Sequence, residues 1–178
     1  MHPYLKILRP LNLLIIILTQ GLFRMCVIEP FFNLGAASPA MNYFEFGLLL
    51  FSTLAIAAGG YMINDYYDVG IDRINKPGKL IAGNVLPLKN IKNYYFFTTL
   101  AGNVTGFWLA VRVEYFLLGF IFPVVSIMLW YYSSTYQKKV LIGNLMIAAM
   151  SGLVVLVVWL FEMFAMLEAD QQLASAMK

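Results

Sequence analysis

The sequence predicts an all-α fold, a polytopic bundle of membrane-spanning helices. Three observations carry that prediction. The 178 residues are 61% hydrophobic and only 12% charged, and the mean hydropathy is +0.77, far from the composition of a soluble domain. The apolar residues are gathered into five runs long enough to cross a bilayer at about 1.5 Å of rise per residue. The basic residues are distributed asymmetrically around those runs.

The first predicted span covers residues 7–23. Its apolar run is longer than that of a signal peptide and no small-residue cleavage site follows, so it reads as a retained helix closed by Arg24. After Arg24, the residues Pro30, Gly35, Ser38 and Pro39 predict an outer loop that dips into the interface through Phe31 and Phe32. The second span covers residues 46–63. Gly59 and Gly60 near its end predict close packing against a neighbouring helix, the alternative being a loosened helix. Pro77 disfavours helix at Lys76 and ends this segment there.

Residues 79–93 then read as a functional loop. The third and fourth spans, residues 94–111 and 115–132, are separated only by Glu114 and its neighbours and so form a tight hairpin. Pro123 is expected to kink the fourth span. The fifth span covers residues 140–161. With no repeat or linker, residues 1–178 are expected to form one domain.

Nine of the twelve basic residues fall on one side of these spans: Lys6, Arg9, Arg73, Lys76, Lys79, Lys89, Lys92, Lys138 and Lys139. Arg24, Arg112 and Lys178 fall on the other. The positive-inside rule therefore predicts an integral membrane protein of the cell's inner membrane, with a cytoplasmic N-terminus and an outside C-terminus. Its first partner is then the lipid bilayer. These charges flank lipid-embedded helices and form no basic stripe, which excludes nucleic acid. The single Cys26 rules out an intramolecular disulfide or a thiolate metal site, and is expected to be a small packing residue.

Chemistry concentrates at the end of the second span. Asn64, Asp65, Asp68 and Asp72 fall within about 100° of one another on a helical wheel, so one face carries all four. Such a face is either a solvated helix end, with Arg73 and Lys76 as ordinary partners, or a metal site. Hard oxygen ligands at these spacings suit Mg²⁺, which is commonly held by one or two carboxylates plus substrate phosphates. Lys76 and Lys79 are placed to contact a bridged diphosphate. There is no Walker A loop, dinucleotide fingerprint or nucleophile elbow, and His2 alone builds neither a zinc site nor an acid–base dyad.

Asn64, Asp65, Asp68 and Asp72 match the NDxxDxxxD motif of the UbiA superfamily of intramembrane prenyltransferases, and Asn75, Lys76 and Pro77 match its continuation. Arg9, Pro10 and Asn12 resemble the family's RPxN element, Tyr132 and Ser133 its Tyr-Ser pair, and Gly143 and Asn144 its Gly-Asn. The resemblance covers roughly residues 5–163. Three departures accompany it. The family's Lys-Arg pair falls on Gln137 and Lys138, and its Arg-Pro on Lys79 and Leu80. The chain ends after five predicted spans, before the family's second aspartate-rich motif, so the single domain corresponds to the family's N-terminal half.

The resemblance implies Mg²⁺-dependent transfer of a prenyl group from a prenyl diphosphate to an isoprenoid-glycerol phosphate, such as geranylgeranylglycerol phosphate, or to an aromatic quinone precursor. It implies metal ligation by Asp65, Asp68 and Asp72, with Asn64 on metal or phosphate. Lys76, Lys79 and Lys138 become candidate diphosphate contacts, with Ser133 beside them. Tyr132 is either an interfacial aromatic or a π face stabilising an allylic cation. Asn12 is either a phosphate or metal contact or interhelical hydrogen-bonding glue. Two other classes of function compete: a catalytically incomplete partner subunit that associates with another chain or with itself, and a cation transporter. The transporter fits less well, because its carboxylates belong near mid-membrane.

Overall fold

The computed structural model of the protein describes residues 2–35, 38–75 and 81–176, and the side chains of the last helix as far as residue 167. Among these residues the elements are helical, with one isolated bridge between Ala82 and Leu86. A short helix α1 (Pro3–Ile7) precedes α2 (Pro10–Phe23), α3 (Glu29–Leu34), α4 (Tyr43–Asn75), α5 (Leu88–Arg112), α6 (Ile121–Ser134) and α7 (Val140–Ala176).

The first span does not stop at Arg24. A π-helical turn, Arg24–Ile28, carries α2 directly into α3, giving one apolar run from Pro10 to Leu34. The wider turn, in which Glu29 N–H reaches back to the Arg24 carbonyl, accommodates the missing N–H of Pro30. The first part of the expected outer loop, as far as Leu34, is therefore helix. Phe32 is buried and Phe31 packs edge-on against Trp159 of α7. Cys26 is exposed on the π turn and is not a packing residue.

Arg24 is buried too, at 3% exposure, and is no surface stop. Its Nη1 donates to Glu162 Oε1 of α7 at 2.6 Å and its Nη2 to the Met41 carbonyl at 2.6 Å. The Met41 N–H donates to Glu162 Oε2 at 3.1 Å. The guanidinium lies 4.9 Å from the Phe46 ring centroid and 5.2 Å from that of Tyr43. One buried charge thus joins α2, the start of α4 and α7.

Among the described residues four helical stretches are long and apolar enough to cross a membrane, not five. The helix that falls short, α5, is 25 residues long, but it opens on Lys89, Asn90, Lys92 and Asn93 and carries Thr98, Thr99 and Asn103. It packs antiparallel to α4, with Thr98, Thr99 and Asn103 partly buried while Phe96, Phe97, Val104 and Trp108 stand exposed on its other face. Asn103 Nδ2 donates to Ser126 Oγ of α6 at 3.0 Å. Gly102 lies against the Ser52 carbonyl and Ile56 so closely that a Cβ would sit 3.0 Å from that oxygen. Gly59 faces Thr99 and Tyr95 of α5, and Gly60 faces Leu129 of α6, which is the close-packing reading of that pair. Arg112 Nη2 meets Glu45 Oε1 at 3.3 Å where the two helices end.

Because α5 starts at Leu88, the loop expected over 79–93 shrinks to the residues before Pro87. Gly83, at φ 76°, turns the chain, and Ala82 and Leu86 pack with Ile7, Met62 and Ile91 in a small core below the acidic end of α4. The α5–α6 hairpin is as tight as expected, turning at Glu114 with φ 61°. It enters α6 through a 3₁₀ segment, Phe116–Phe120, so Pro123, although inside the apolar span Phe116–Ser134, lies in the first turn of α6. There its absent N–H leaves no helical bond broken. The main core gathers around Leu49, Leu109, Phe122, Val158 and Phe161.

Candidate active site: an acidic mouth over an apolar cavity

A cavity of about 490 Å³ lies between α2, α4, α6 and α7, within the size range of small-molecule sites. Helical spacing makes its two ends chemically different. Arg9, Asn12, Tyr61, Asn64, Tyr132 and Ser133 ring one end, whereas Ile16, Ile56, Val125, Leu129, Met150 and Val157 line the depth. On α2, Asn12, Ile16 and Thr19 succeed one another along one face. On α4 the same succession, read backwards, runs Asn64, Gly60, Ile56 and Thr53. The mouth can bind charge, while the depth is mostly hydrocarbon with Thr19, Thr53 and Ser151 as its polar side chains.

Beside the mouth stand the carboxylates of α4. Arg9 Nη2 pairs with Asp65 Oδ1 at 2.5 Å, and the guanidinium lies 5.2 Å from the Tyr61 ring centroid. Arg9 holds a left-handed backbone, φ 53°, as the residue capping α2 ahead of Pro10. A non-glycine residue in that conformation is strained, a condition found at functional sites. Asp68 is gripped from both sides: Asn64 Nδ2 donates to Oδ2 and Gln137 Nε2 donates to Oδ1 at 2.6 Å. Asp72 is half-buried one turn further on, and the charges of both Asp68 and Asp72 reach Asp65.

The structure thus brings Asn12, Asn64, Asp65, Asp68, Tyr132 and Ser133 to one end of one cavity, with Asp72 on the same helix beyond them. Ser133 is buried, and among the described residues its Oγ has no hydrogen-bond partner. Lys138 is exposed on the 3₁₀ turn Tyr136–Lys138, next to Gln137. Lys76 and Lys79 lie outside the described residues. Among the described residues no three His, Cys, Asp or Glu side chains converge on one point that could hold a metal ion. Asp65 is turned to Arg9, and Asp68 is held by two amides. The donor set nevertheless fits a hard cation of the Mg²⁺ type, which needs one or two carboxylates when waters and phosphate oxygens complete its shell.

Sequence reasoning missed three members of the site. Arg9 counted as a charge and as part of a motif, not as a site residue. Tyr61 precedes Asn64 by one helical turn, and the same helical wheel would have found it. Gln137 read as a basic residue lost, whereas it is the amide that grips Asp68.

Comparison with known proteins agrees with this geometry. A model of the UbiA prenyltransferase family matches residues 30–174. The chain is 30% identical over 153 residues to digeranylgeranylglyceryl phosphate synthase of Methanobrevibacter smithii, covering 86% of this chain and 50% of that one. It is 36% identical over 114 residues to the protein of the same name from Saccharolobus solfataricus, covering 62% and 39%. The chain spans about half the length of the curated relatives it matches first. A solved structure described as giving insights into the biosynthesis of digeranylgeranylglyceryl phosphate synthase in membranes superposes with a TM-score of 0.66 at 22% identity, over 89% of this chain and 52% of that one. That likeness establishes the fold.

Proposed function

Because the chain belongs to the UbiA prenyltransferase family, we propose that it takes part in Mg²⁺-dependent transfer of a prenyl group from a prenyl diphosphate to an isoprenoid-glycerol phosphate. The observation that carries this reading is the join of a carboxylate-bearing mouth to an elongated apolar cavity. A prenyl diphosphate has the same two halves, one anionic and one hydrocarbon. The names of the most similar relatives favour the glycerol-phosphate acceptor over a quinone precursor.

In this reading Asp68 and Asp72, with Asp65 and Asn64 beside them, would hold Mg²⁺, and the ion would supply charge neutralisation for the departing diphosphate. The chain's own side chains do the rest. Ile16, Ile56, Val125 and Leu129 bind the prenyl tail by excluding water from it. Arg9 has a cationic head at the mouth and can exchange Asp65 for a phosphate oxygen as the substrate arrives. Ser133 offers an unused hydroxyl, and Asn12 an amide, to the phosphates. Lys76, Lys79 and Lys138 remain diphosphate contacts in this proposal. The Tyr132 ring lines the cavity and in this reading stabilises positive charge on the allylic carbon. The allylic C–O bond breaks, a bond forms to the acceptor hydroxyl oxygen, and the hydroxyl proton leaves with the diphosphate.

The basic residues of the acidic end, Arg9, Lys89, Lys92, Lys138 and Lys139 among them, support a cytoplasmic mouth. α7 begins beside that end and runs to the Glu162 end, which would carry the C-terminal part of the helix to the opposite side. A second reading is a partner subunit that binds diphosphate without completing catalysis. The test is transfer of a labelled geranylgeranyl group, with and without Mg²⁺, to geranylgeranylglyceryl phosphate by the purified chain. Labelled product that disappears in Asp68→Asn establishes the transfer. Diphosphate binding with no product on any acceptor assigns the chain to the partner role.

A further inference from the structure

Along α6 the residues that line the cavity run from Ser133 at the mouth through Leu129 and Val125 to Phe122 and Ile121. Phe122 lies about 16 Å from Ser133 at 1.5 Å per residue. On α7 the lining ends at Val157 and on α4 at Thr53. One helical turn beyond those two stand Phe161 and Leu49, both at 0% exposure and both in the main core. Phe122 belongs to cavity and core alike: it lines the first, and at 3% exposure it is buried in the second. The core therefore closes this end of the cavity, with Phe122 at the join.

The Phe122 ring is held from behind. On the α5 side it lies against Gly106, where a Cβ would come within 2.6 Å of the ring's Cγ. On the α7 side it packs against Phe161, with ring centroids 5.8 Å apart and planes tilted by 52°. The Phe122 carbonyl accepts the Ser126 hydroxyl at 2.9 Å, and Ser126 Oγ accepts Asn103 Nδ2 of α5 at 3.0 Å. A close-packed interior leaves no free volume into which a ring seated this way can retreat. Glycine inside a helix is disfavoured relative to alanine. At position 106 that cost is offset by the seat it makes for the ring, and any side chain there would press the ring toward the cavity.

We propose that Phe122 is a specificity-determining residue, the floor that sets the longest prenyl chain the cavity accepts, and that Gly106 is the positioning residue that sets how far this floor reaches in. This rests on the prenyl diphosphate reading of the cavity given above. Gly106 is on α5 and does not line the cavity, so its effect passes through the Phe122 ring. The floor acts on the tail and leaves the mouth untouched, so chain length and affinity through the diphosphate are set by separate residues.

The test is Mg²⁺-dependent binding of a series of prenyl diphosphates, each one isoprene unit longer than the last, to the purified chain in detergent. The wild type is expected to bind more tightly with each unit up to a cut-off, with the next unit at least about tenfold weaker. Phe122→Leu lowers the floor and is expected to move the cut-off one unit longer. Gly106→Ala raises it and is expected to weaken the longest chain the wild type accepts by at least about tenfold. Both should leave the shorter members within about threefold of wild type, and the double variant should return the cut-off toward the wild-type length. Two packing defects with no bearing on the tail would not cancel in this way. A folded Phe122→Leu that keeps the wild-type cut-off overturns the floor and leaves the functional reading intact, and this variant decides alone if Gly106→Ala does not fold. An unchanged cut-off in folded Gly106→Ala overturns the positioning role. Uniform weakening at every length makes the pair part of the core's packing only and overturns the proposal, as does a wild type with no cut-off. A wild type that binds no prenyl diphosphate of any length fails the functional reading itself, and the floor falls with it.

Discussion

Two arginine–carboxylate pairs stand at opposite ends of the bundle. At one end Arg9 meets Asp65 with side chains 42% and 21% exposed. At the other Arg24 meets Glu162 with side chains 4% and 1% exposed. The chemical groups are the same and their surroundings decide what they do. Arg9 and Asp65 can let go of each other, because water or an incoming ligand can replace either partner at little cost. Arg24 and Glu162 have no replacement: the carboxylate also accepts the Met41 N–H, the guanidinium also donates to the Met41 carbonyl, and aromatic rings cover it. The exposed pair is suited to exchange and the buried pair to holding helices together.

The largest effect should come from the buried end. Glu162→Ala takes away the buried partner of Arg24, leaving it only Glu29 Oε1 at 3.5 Å from Nε, and is expected to cost about 3 kcal/mol of stability, read as early thermal unfolding in detergent. The double change Arg24→Met with Glu162→Leu should recover most of that loss, because an apolar pair of similar size needs no desolvation. An unrecovered double variant would show that the pair also specifies the fold.

At the exposed end the order reverses, with activity falling and stability staying. Asp68→Asn removes the carboxylate while its two amide neighbours remain, and should lower prenyl transfer by about 10²–10³-fold with an unchanged melting temperature. Full activity in that variant would remove Asp68 from the site. Gln137→Leu should be milder, weakening Mg²⁺ binding about 10–100-fold, as loss of a group that orients a metal ligand does. Direct metal titration checks it, and titration curves identical to wild type would reduce Gln137 to a surface contact. The smallest effect is expected from Arg9→Ala, which should change stability by under about 1 kcal/mol while weakening diphosphate binding. A large stability loss there would erase the contrast between the two ends.

The same contrast explains what the sequence made legible. Asn64, Asp65, Asp68 and Asp72 lie within nine residues of each other, and helical periodicity alone put them on one face. Tyr132 and Ser133 were reachable through their motif. Gln137 was not, because its role depends on a contact across 69 residues, and its identity as an amide suggested a deficit. Arg24 was misread for a similar reason. Beside an apolar run a charge suggests a boundary, and only Glu162, 138 residues away, makes it interior. The π turn was equally hidden, since Pro30 argues for a break unless something widens the helix before it. The composition of α5 was legible but its meaning was not: a helix can carry threonine and asparagine on the face it turns to its neighbours while Phe96, Phe97, Val104 and Trp108 occupy the exposed one.

α4 runs unbroken from Tyr43 to Asn75. Its first turn is fastened through Glu45 to Arg112, and Asp68 stands 23 residues on, about 35 Å away at 1.5 Å per residue. Within that stretch there is no proline to act as a hinge. The helix is a stiff rod with its handle at one end of the bundle and the proposed site at the other. In a screen of random variants scored only by product, a change that tilts the handle would therefore be counted among the catalytic defects, although it touches neither substrate nor metal.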